Sequence, residues 1–451
     1  MNPQHFPRLG LLAPILAASL AAQDLIPKAP PQPLPVVLQN AVLHTVTGGI
    51  VLSGTLWFFD GQIRGVLPAG ETPKLPDGQQ PIVLDLQGKH VFPGMIAGNS
   101  SLGLVELGMV RQSVDSDELG EMSPETLAMV AVNPDSALLP VARANGVLAA
   151  VTFPVGGLLP GRASALQLDG WTNADLAVKA DAGPVVVWPA QASGGERGRR
   201  GSRPGGPGAA AAVEGGDATK KARARIDDAF LAARAWLTAW TADTTLPIDI
   251  RHQALAPAVR REAPVFVLAD DLEQIESAVL WARDRELRIV IVGGRDAASC
   301  AALLRERKVP VVVTGVHRLP RRDDSAYDEP FTLPARLSQL GVTFCIASGG
   351  DASNERNLPY HAATAAAFGL DREKAFAAVT HDAAVVFGID DRLGSLAVGK
   401  DATLFVADGH PFDLATKIEL AFVRGRQVDL RSKHTELAKK YRERYRQLRG
   451  K

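Results

Sequence analysis

Apolar and polar positions divide the chain into three stretches of different rhythm. After a proline-rich segment (27–35), residues 36–42 alternate, and 55–59 and 62–66 flank Asp60-Gly61. An Asp-Gly pair between two such runs is a hairpin signal. With a further run at 82–86, these residues predict a small antiparallel module. From Pro93 the rhythm changes to short, mostly apolar runs at 95–99, 147–153, 165–168, 185–188, 265–269, 289–292, 311–314 and 342–347. Several are rich in β-branched residues and do not alternate, as strands buried on both faces do. Interleaved with helical stretches, they predict an α/β fold in which eight parallel strands close into a (β/α)8 TIM barrel. Ile226, Phe230, Ala233, Leu237 and Trp240 recur at helical spacing and predict a helix packed on the core. Asp371 is placed to cap a helix over 372–379. Runs at 402–407 and 420–423 then resume the style of the N-terminus. The economical reading is a β-sandwich built from both chain ends (36–92 and 394–430), with the barrel (93–393) inserted. The tail, 432–451, reads as a basic helix whose Leu437, Tyr441, Tyr445 and Leu448 form a stripe suited to docking on the protein's own surface.

Composition adds limits. At 451 residues, 46% hydrophobic and 22% charged, the chain can bury a large core. Lys+Arg and Asp+Glu both number 49, so no charge excess points to nucleic acid or an anionic membrane as partner. Arg8 precedes an apolar run, 9–22, that contains Ser19-Leu20-Ala21. This is the layout of a cleavable signal peptide (1–22), and it is shorter than the about 20 apolar residues of a membrane span. The expectation is an exported protein, periplasmic or secreted, with no integral membrane segment after cleavage. Cys300 and Cys345 sit in apolar contexts and are expected as buried free thiols. Residues 193–216 are so rich in Gly, Arg and Ala that a disordered surface insertion is expected.

The strand at 95–99 ends in a polar cluster, Asn99-Ser100-Ser101, and alternation puts Asn99 and Ser101 on one side. Three pieces carry a family likeness: VFPGMIAGNSSLG from Val91, the long block from Asn357 to Asp413 with its GSLAVGKDATL, and the closing FVRGRQV. With them the chain resembles the amidohydrolase superfamily, near its imidazolonepropionase-like and dihydroorotase-like branches. The resemblance implies one or two metals at the C-terminal mouth of the barrel that activate a water. It also implies a His-x-His pair on the first strand, a histidine on each of the fifth and sixth, an aspartate on the eighth, and in some members a carbamylated lysine on the fourth. On this chain the pair falls on Asn99 and Ser101, the two histidines on Leu268 and Gly293, and the aspartate on Gly349 or, displaced, on Asp351. The fourth run, PVVVWP, has no lysine. An amide, a hydroxyl, an isobutyl group and two glycines lack the imidazole, thiolate and carboxylate donors of zinc. No cofactor is therefore expected, and zinc or another divalent metal only if its ligands are displaced.

Other polar residues follow the strands. They are Asp270 and Asp271; His317, Arg318, Arg321, Arg322, Asp323 and Asp324; Asp351, Asn354, Arg356 and Asn357; and Tyr360 and His361. His317 with Asp351 is the candidate for metal-free acid/base catalysis. Asn99, Ser101, Asp270, Asp271, Arg318, Arg356 and His361 are candidate pocket residues. Each has a plainer role open to it: helix capping for Asp270 and Asp271, surface ion pairs for the Arg/Asp run, a satisfied helix histidine for His361. No Gly-x-Ser-x-Gly elbow or phosphate loop is present. Three functions fit. The first is a degenerate amidohydrolase whose pocket binds a small polar molecule. The second is an active hydrolase on non-peptide C–N bonds with displaced ligands. The third is an exported scaffold acting through the arginine-rich insertion. Loss at every mapped position favours the first, and oligomeric state stays open.

Overall fold

The structure is a computed structural model that describes residues 26–191, 212–213, 216–320, 322 and 324–450. The segment expected to be a signal peptide (1–22), nearly all of the segment expected to be an insertion (193–216), Arg321 and Asp323 lie outside the described residues.

The N-terminal strands are β1 (Val36–His44), β2 (Ile50–Phe59), β3 (Gln62–Leu67), β4 (Ile82–Asp85) and β5 (His90–Pro93). Asp60 and Gly61 turn β2 into β3 with φ of 51° and 73°. Two positive φ values are what a two-residue type I′ turn demands, which is why this dipeptide announces the hairpin.

The barrel strands are β6 (Met95–Ser100), β7 (Val147–Thr152), β8 (Gly161–Gln167) and β9 (Ala177–Val187). Two short strands, β10 (Ala190–Gln191) and β11 (Ala212–Val213), pair with each other, and the barrel resumes with β12 (Val265–Ala269), β13 (Ile289–Gly293), β14 (Val311–Thr314) and β15 (Phe344–Ala347). The eight lie in one sheet in chain order. They sit where the apolar runs predicted them, with one difference: β8 is antiparallel to both β7 and β9. A parallel return needs a crossover of a dozen or more residues. The links on either side of β8 are shorter and hold only the one-turn helix Asn173–Leu176, so the chain doubles back.

β15 and β6 are bridged rather than laddered. Ile346 N donates to Ala378 O (3.0 Å), and Ile96 N donates to Val379 O (2.9 Å). The next helix, His381–Phe387, plugs the barrel, with the Phe387 ring 5.7 Å from Phe266 and 6.4 Å from Phe153. Gly98 makes room for it, since a Cβ there would lie 2.7 Å from the ring. Gly98→Ala is therefore expected to cost about 1–3 kcal/mol through overpacking, read as a lower urea midpoint. An unchanged midpoint would show that the ring has room to move.

β16 (Leu404–Ala407), β17 (Ile418–Val423) and β18 (Arg426–Gln427) complete the N-terminal sheet in the order β18-β17-β16-β5-β1-β2-β3, with β4 on β1. Leu38, Leu43, Phe58, Leu404, Val406 and Phe422 give this domain its own core, drawn from both chain ends. Its eight strands form one continuous hydrogen-bonded sheet. Where it meets the barrel, His44 Nε2 lies 2.9 Å from His90 Nδ1 and the His44 ring stacks on Phe92 at 4.1 Å. Burial pushes His44 and His410 down to about 4.

The helix Gly216–Ala242 buries Ile226, Phe230 and Ala233, while Leu237 and Trp240 are half-exposed near its end. Asp371 caps Lys374 N (2.9 Å), as expected. Cys300 and Cys345 are buried free thiols. The expected docking of the C-terminal helix is not seen. Lys433–Arg449 buries no residue, and its Leu/Tyr stripe faces outward because the helix is tethered only near its start. Among the described residues no helix is long and apolar enough to cross a membrane.

Candidate functional site

Seven barrel strands point the same way and open at one mouth. At β6 the register against β7 breaks between Ala97 and Ser100, and Asn99 adopts a left-handed φ of 49°. Asparagine tolerates that region better than most residues. Strict alternation therefore does not carry through Asn99 and Ser101. Ser101 Oγ donates to Gly350 O (2.8 Å) and accepts from Ala352 N (3.2 Å), which pins the loop after β15 to the end of β6. The Asn99 amide is buried, and neither its oxygen nor its nitrogen has a hydrogen-bond partner among the described residues. An unpaired buried amide costs free energy, and such groups mark places where water or a ligand belongs. Next to it, Glu355 is fully buried and accepts from Ser348 Oγ (2.5 Å). Burial pushes its carboxyl up to about 7 against the opposing hydrogen bonds from Ser348 and Ser100.

Across the mouth, Leu268 belongs to the apolar barrel core. Gly293 ends β13 with φ 111°, and a Cβ there would lie 2.5 Å from Asp270 Oδ1. The space of a sixth-strand ligand is thus filled by the Asp270 carboxylate, which Arg295 holds through its Nε at 3.3 Å. Gly349 has φ 113°, and a Cβ on it would lie 3.5 Å from Gly315 Cα. Among the described residues no group of three or more His, Cys, Asp or Glu side chains is placed to hold a metal. The residues at the five mapped positions do not fit a catalytic metal: they lack imidazole, thiolate and carboxylate donors, and a Cβ at Gly293 would meet the Asp270 carboxylate.

The remaining predicted site residues separate into local arrangements. Asp296 pairs with Arg322 (2.8 Å), and Arg318 pairs with Glu329 (3.1 Å). Asp296, Arg322 and Glu329, with Arg295, Ser325 and Arg336, border a polar hollow of about 130 Å³, and Arg295 links it to Asp270. Asp271 is the N-cap residue of the helix Leu272–Asp284, where Gln274 Oε1 accepts from the Asp270 and Asp271 N–H groups. His317 Nε2 is 2.7 Å from Thr364 Oγ1, and its ring stacks on His361 at 4.1 Å. His361 Nδ1 accepts from His317 N (3.3 Å), and burial lowers its pKa to about 3. Asp351 accepts from Ser353 N, Ser353 Oγ and Asn354 Nδ2 within its own loop. Arg356 Nη1 lies 2.6 Å from His434 Nδ1 of the C-terminal helix. His317 and Asp351 are each engaged with other partners. Glu355 and Arg295 were not singled out in the sequence. A glutamate inside Ser-Asn-Glu-Arg-Asn carries no sign of burial, and only the tertiary contact with β6 supplies it.

Residues 273–435 match the model of the amidohydrolase family. No curated protein matches the chain. Among solved structures, an amidohydrolase from Thermotoga maritima superposes with a TM-score of 0.74 at 24% identity, covering 88% of this chain and 100% of its own. Molinate hydrolase follows at 0.53 and 15%, with 89% and 95% covered. A zinc-bound adenosine deaminase from Xanthomonas campestris gives 0.50 and 16%, with 93% and 100% covered. At such identities the likeness speaks for the fold. The chain thus shares the fold of these amidohydrolases, and its residues 273–435 match the amidohydrolase family.

Proposed function

We propose that this protein is an exported member of the superfamily that has given up metal-dependent hydrolysis and uses its barrel mouth to bind a small polar molecule. The observation that carries the reading is Gly293. A missing histidine alone would leave a space for a displaced ligand or a water. Here the Asp270 carboxylate occupies that space, and Arg295 neutralises it. Ser101 is likewise spent on the loop after β15. The polar rim from Asp270 to Arg322 and the unpaired Asn99 amide are the groups that would meet a ligand. Export rests on Arg8 and the apolar run behind it.

The test is metal stoichiometry. Protein incubated with Zn²⁺ or Mn²⁺, desalted and measured by elemental analysis is expected to retain far less than one ion per chain. Retention near one per chain overturns the reading. So does a hydrolysis rate on lactams or cyclic imides that a chelator abolishes.

A further inference from the structure

At the opposite end of the barrel from the mouth lies a cavity of about 590 Å³, within the usual size of small-molecule pockets. It is bordered by the residues that lead into β12, β13, β14 and β15, namely Pro264, Arg288, Pro310 and Thr343. Its floor includes Val385 and Val386 of the plugging helix, and Val385 is 44% exposed inside the concavity.

Its rim is basic. Arg261, Arg283, Arg288, Arg307 and Lys308 line it against one carboxylate, Glu286. Arg283 and Arg307 are answered by Asp284 (2.7 Å) and Glu306 (3.4 Å), and Glu286 by Arg234 (3.5 Å). Among the described residues no carboxylate pairs with Arg261, Arg288 or Lys308. The plain explanation for cations here is that three helices end at this rim. Their C-termini carry about −0.5 charge each, so three unpaired cations still leave an excess of roughly 1.5 positive charges. The backbone adds an independent sign. Each of these helices ends in a left-handed residue, and these are Arg261 (φ 63°), Glu286 (57°) and Lys308 (53°). At the matching turn before β15 the chain uses Gly341 (φ 71°), the residue that suits the conformation. Two cations, Arg261 and Lys308, and the one carboxylate, Glu286, are thus kept at glycine positions that border this cavity.

We infer that this cavity is a binding site for a small amphipathic anion, with its acidic head at Arg261, Arg288 and Lys308 and its apolar body over Val385 and Val386. An inorganic anion would leave the apolar floor wet, and a neutral hydrocarbon would leave the cations unanswered. The site is independent of the barrel mouth and of the reading proposed for it.

Calorimetric titration of the full chain with decanoate tests it. Saturable binding near one per chain is expected, weakened at least tenfold in Arg288→Gln/Lys308→Gln and in Val385→Asp, with decanol and inorganic phosphate each far weaker. All three positions are exposed enough to change without disturbing the core, and unchanged melting temperatures would confirm this. The inference is overturned if decanoate shows no saturable binding, if decanol matches it, or if neither variant weakens it. Sedimentation with vesicles of anionic phospholipid separates the sources of an acidic lipid head. No capture is expected, and capture lost in the double variant would make a bilayer the ligand and overturn the small-molecule site.

Discussion

Asp169→Asn is expected to lower stability by about 3–5 kcal/mol, because it strips a buried guanidinium of its counter-charge. Arg143 and Asp169 are joined at 2.8 Å with side chains only 3% and 1% exposed. Burial pulls the Arg143 pKa down and Asp169 is the main opposing influence, so the pair holds together only as a pair. Its surroundings explain why a charge is tolerated there. Arg143 also donates to Leu168 O (2.8 Å) and Asp429 O (3.0 Å). Asp169 Oδ2 accepts from Ala29 N (3.3 Å), and Arg426 Nη2 donates to Asp169 O (2.9 Å). One carboxylate thus ties the start of the described chain, the barrel and the last strand of the composite sheet. Urea unfolding of the variant checks the figure. Loss of cooperativity, with the sheet melting before the barrel, would accompany it. Arg143→Met combined with Asp169→Leu should recover much of the loss, since a packed apolar pair replaces a desolvated ionic one. A cost under about 1 kcal/mol for Asp169→Asn would mean that the backbone acceptors alone satisfy Arg143.

Glu355→Gln is expected to stabilise the protein at alkaline pH and to do little in acid. The carboxyl titrates near 7 in the folded chain against 4.5 in its ordinary state. Between those values the native state holds a proton that the unfolded state has released, so stability falls as pH rises and the deficit is complete above about 7. A shift of that size corresponds to roughly 3 kcal/mol. Glutamine stays neutral and avoids the deficit. The histidines act in the opposite sense. His44 and His410 titrate near 4 and His361 near 3, against 6.5 unfolded. Their stabilising contribution is complete above 6.5 and is lost as pH falls through 4. The two windows overlap, and below 6.5 the three histidines outweigh the one carboxyl, so wild-type stability should be greatest near 6.5. Melting curves from about pH 4 to 9 are expected to show no gain for Glu355→Gln below 4.5, a gain that grows from there to about 7, and a constant gain above it. Equal gains at pH 5 and pH 8 would show that the effect is packing rather than ionisation.

How much could be read from residues alone varies with the kind of interaction. The apolar runs at 265–269, 289–292 and 311–314 became strands because β-branched residues in short uninterrupted blocks have few other solutions. Strand direction was not legible. Residues 165–168 look the same whichever way the strand runs, and only the length of the flanking links forces β8 to reverse. The stripe on 437–448 marks a helix face correctly but says nothing about what the face meets, and in the fold it meets solvent.

The candidate site divides along the same line. That Asn99, Ser101, Leu268, Gly293 and Gly349 stand at the mapped ligand positions is a property of the chain, because strand order and strand ends follow local pattern. That the Asp270 carboxylate lies against Gly293, that Glu355 is sealed against Ser348, and that His317 turns to Thr364 and His361 instead of Asp351 are properties of the fold. Each joins groups distant along the sequence, or depends on a rotamer that local propensity does not set. By itself the sequence determined the barrel, the sheet built from two ends and the residue types at the mapped positions, since these follow from residue type and order. Tertiary structure alone decided which polar groups are buried, paired or left to bind, because desolvation and hydrogen bonding are settled by what packs against them.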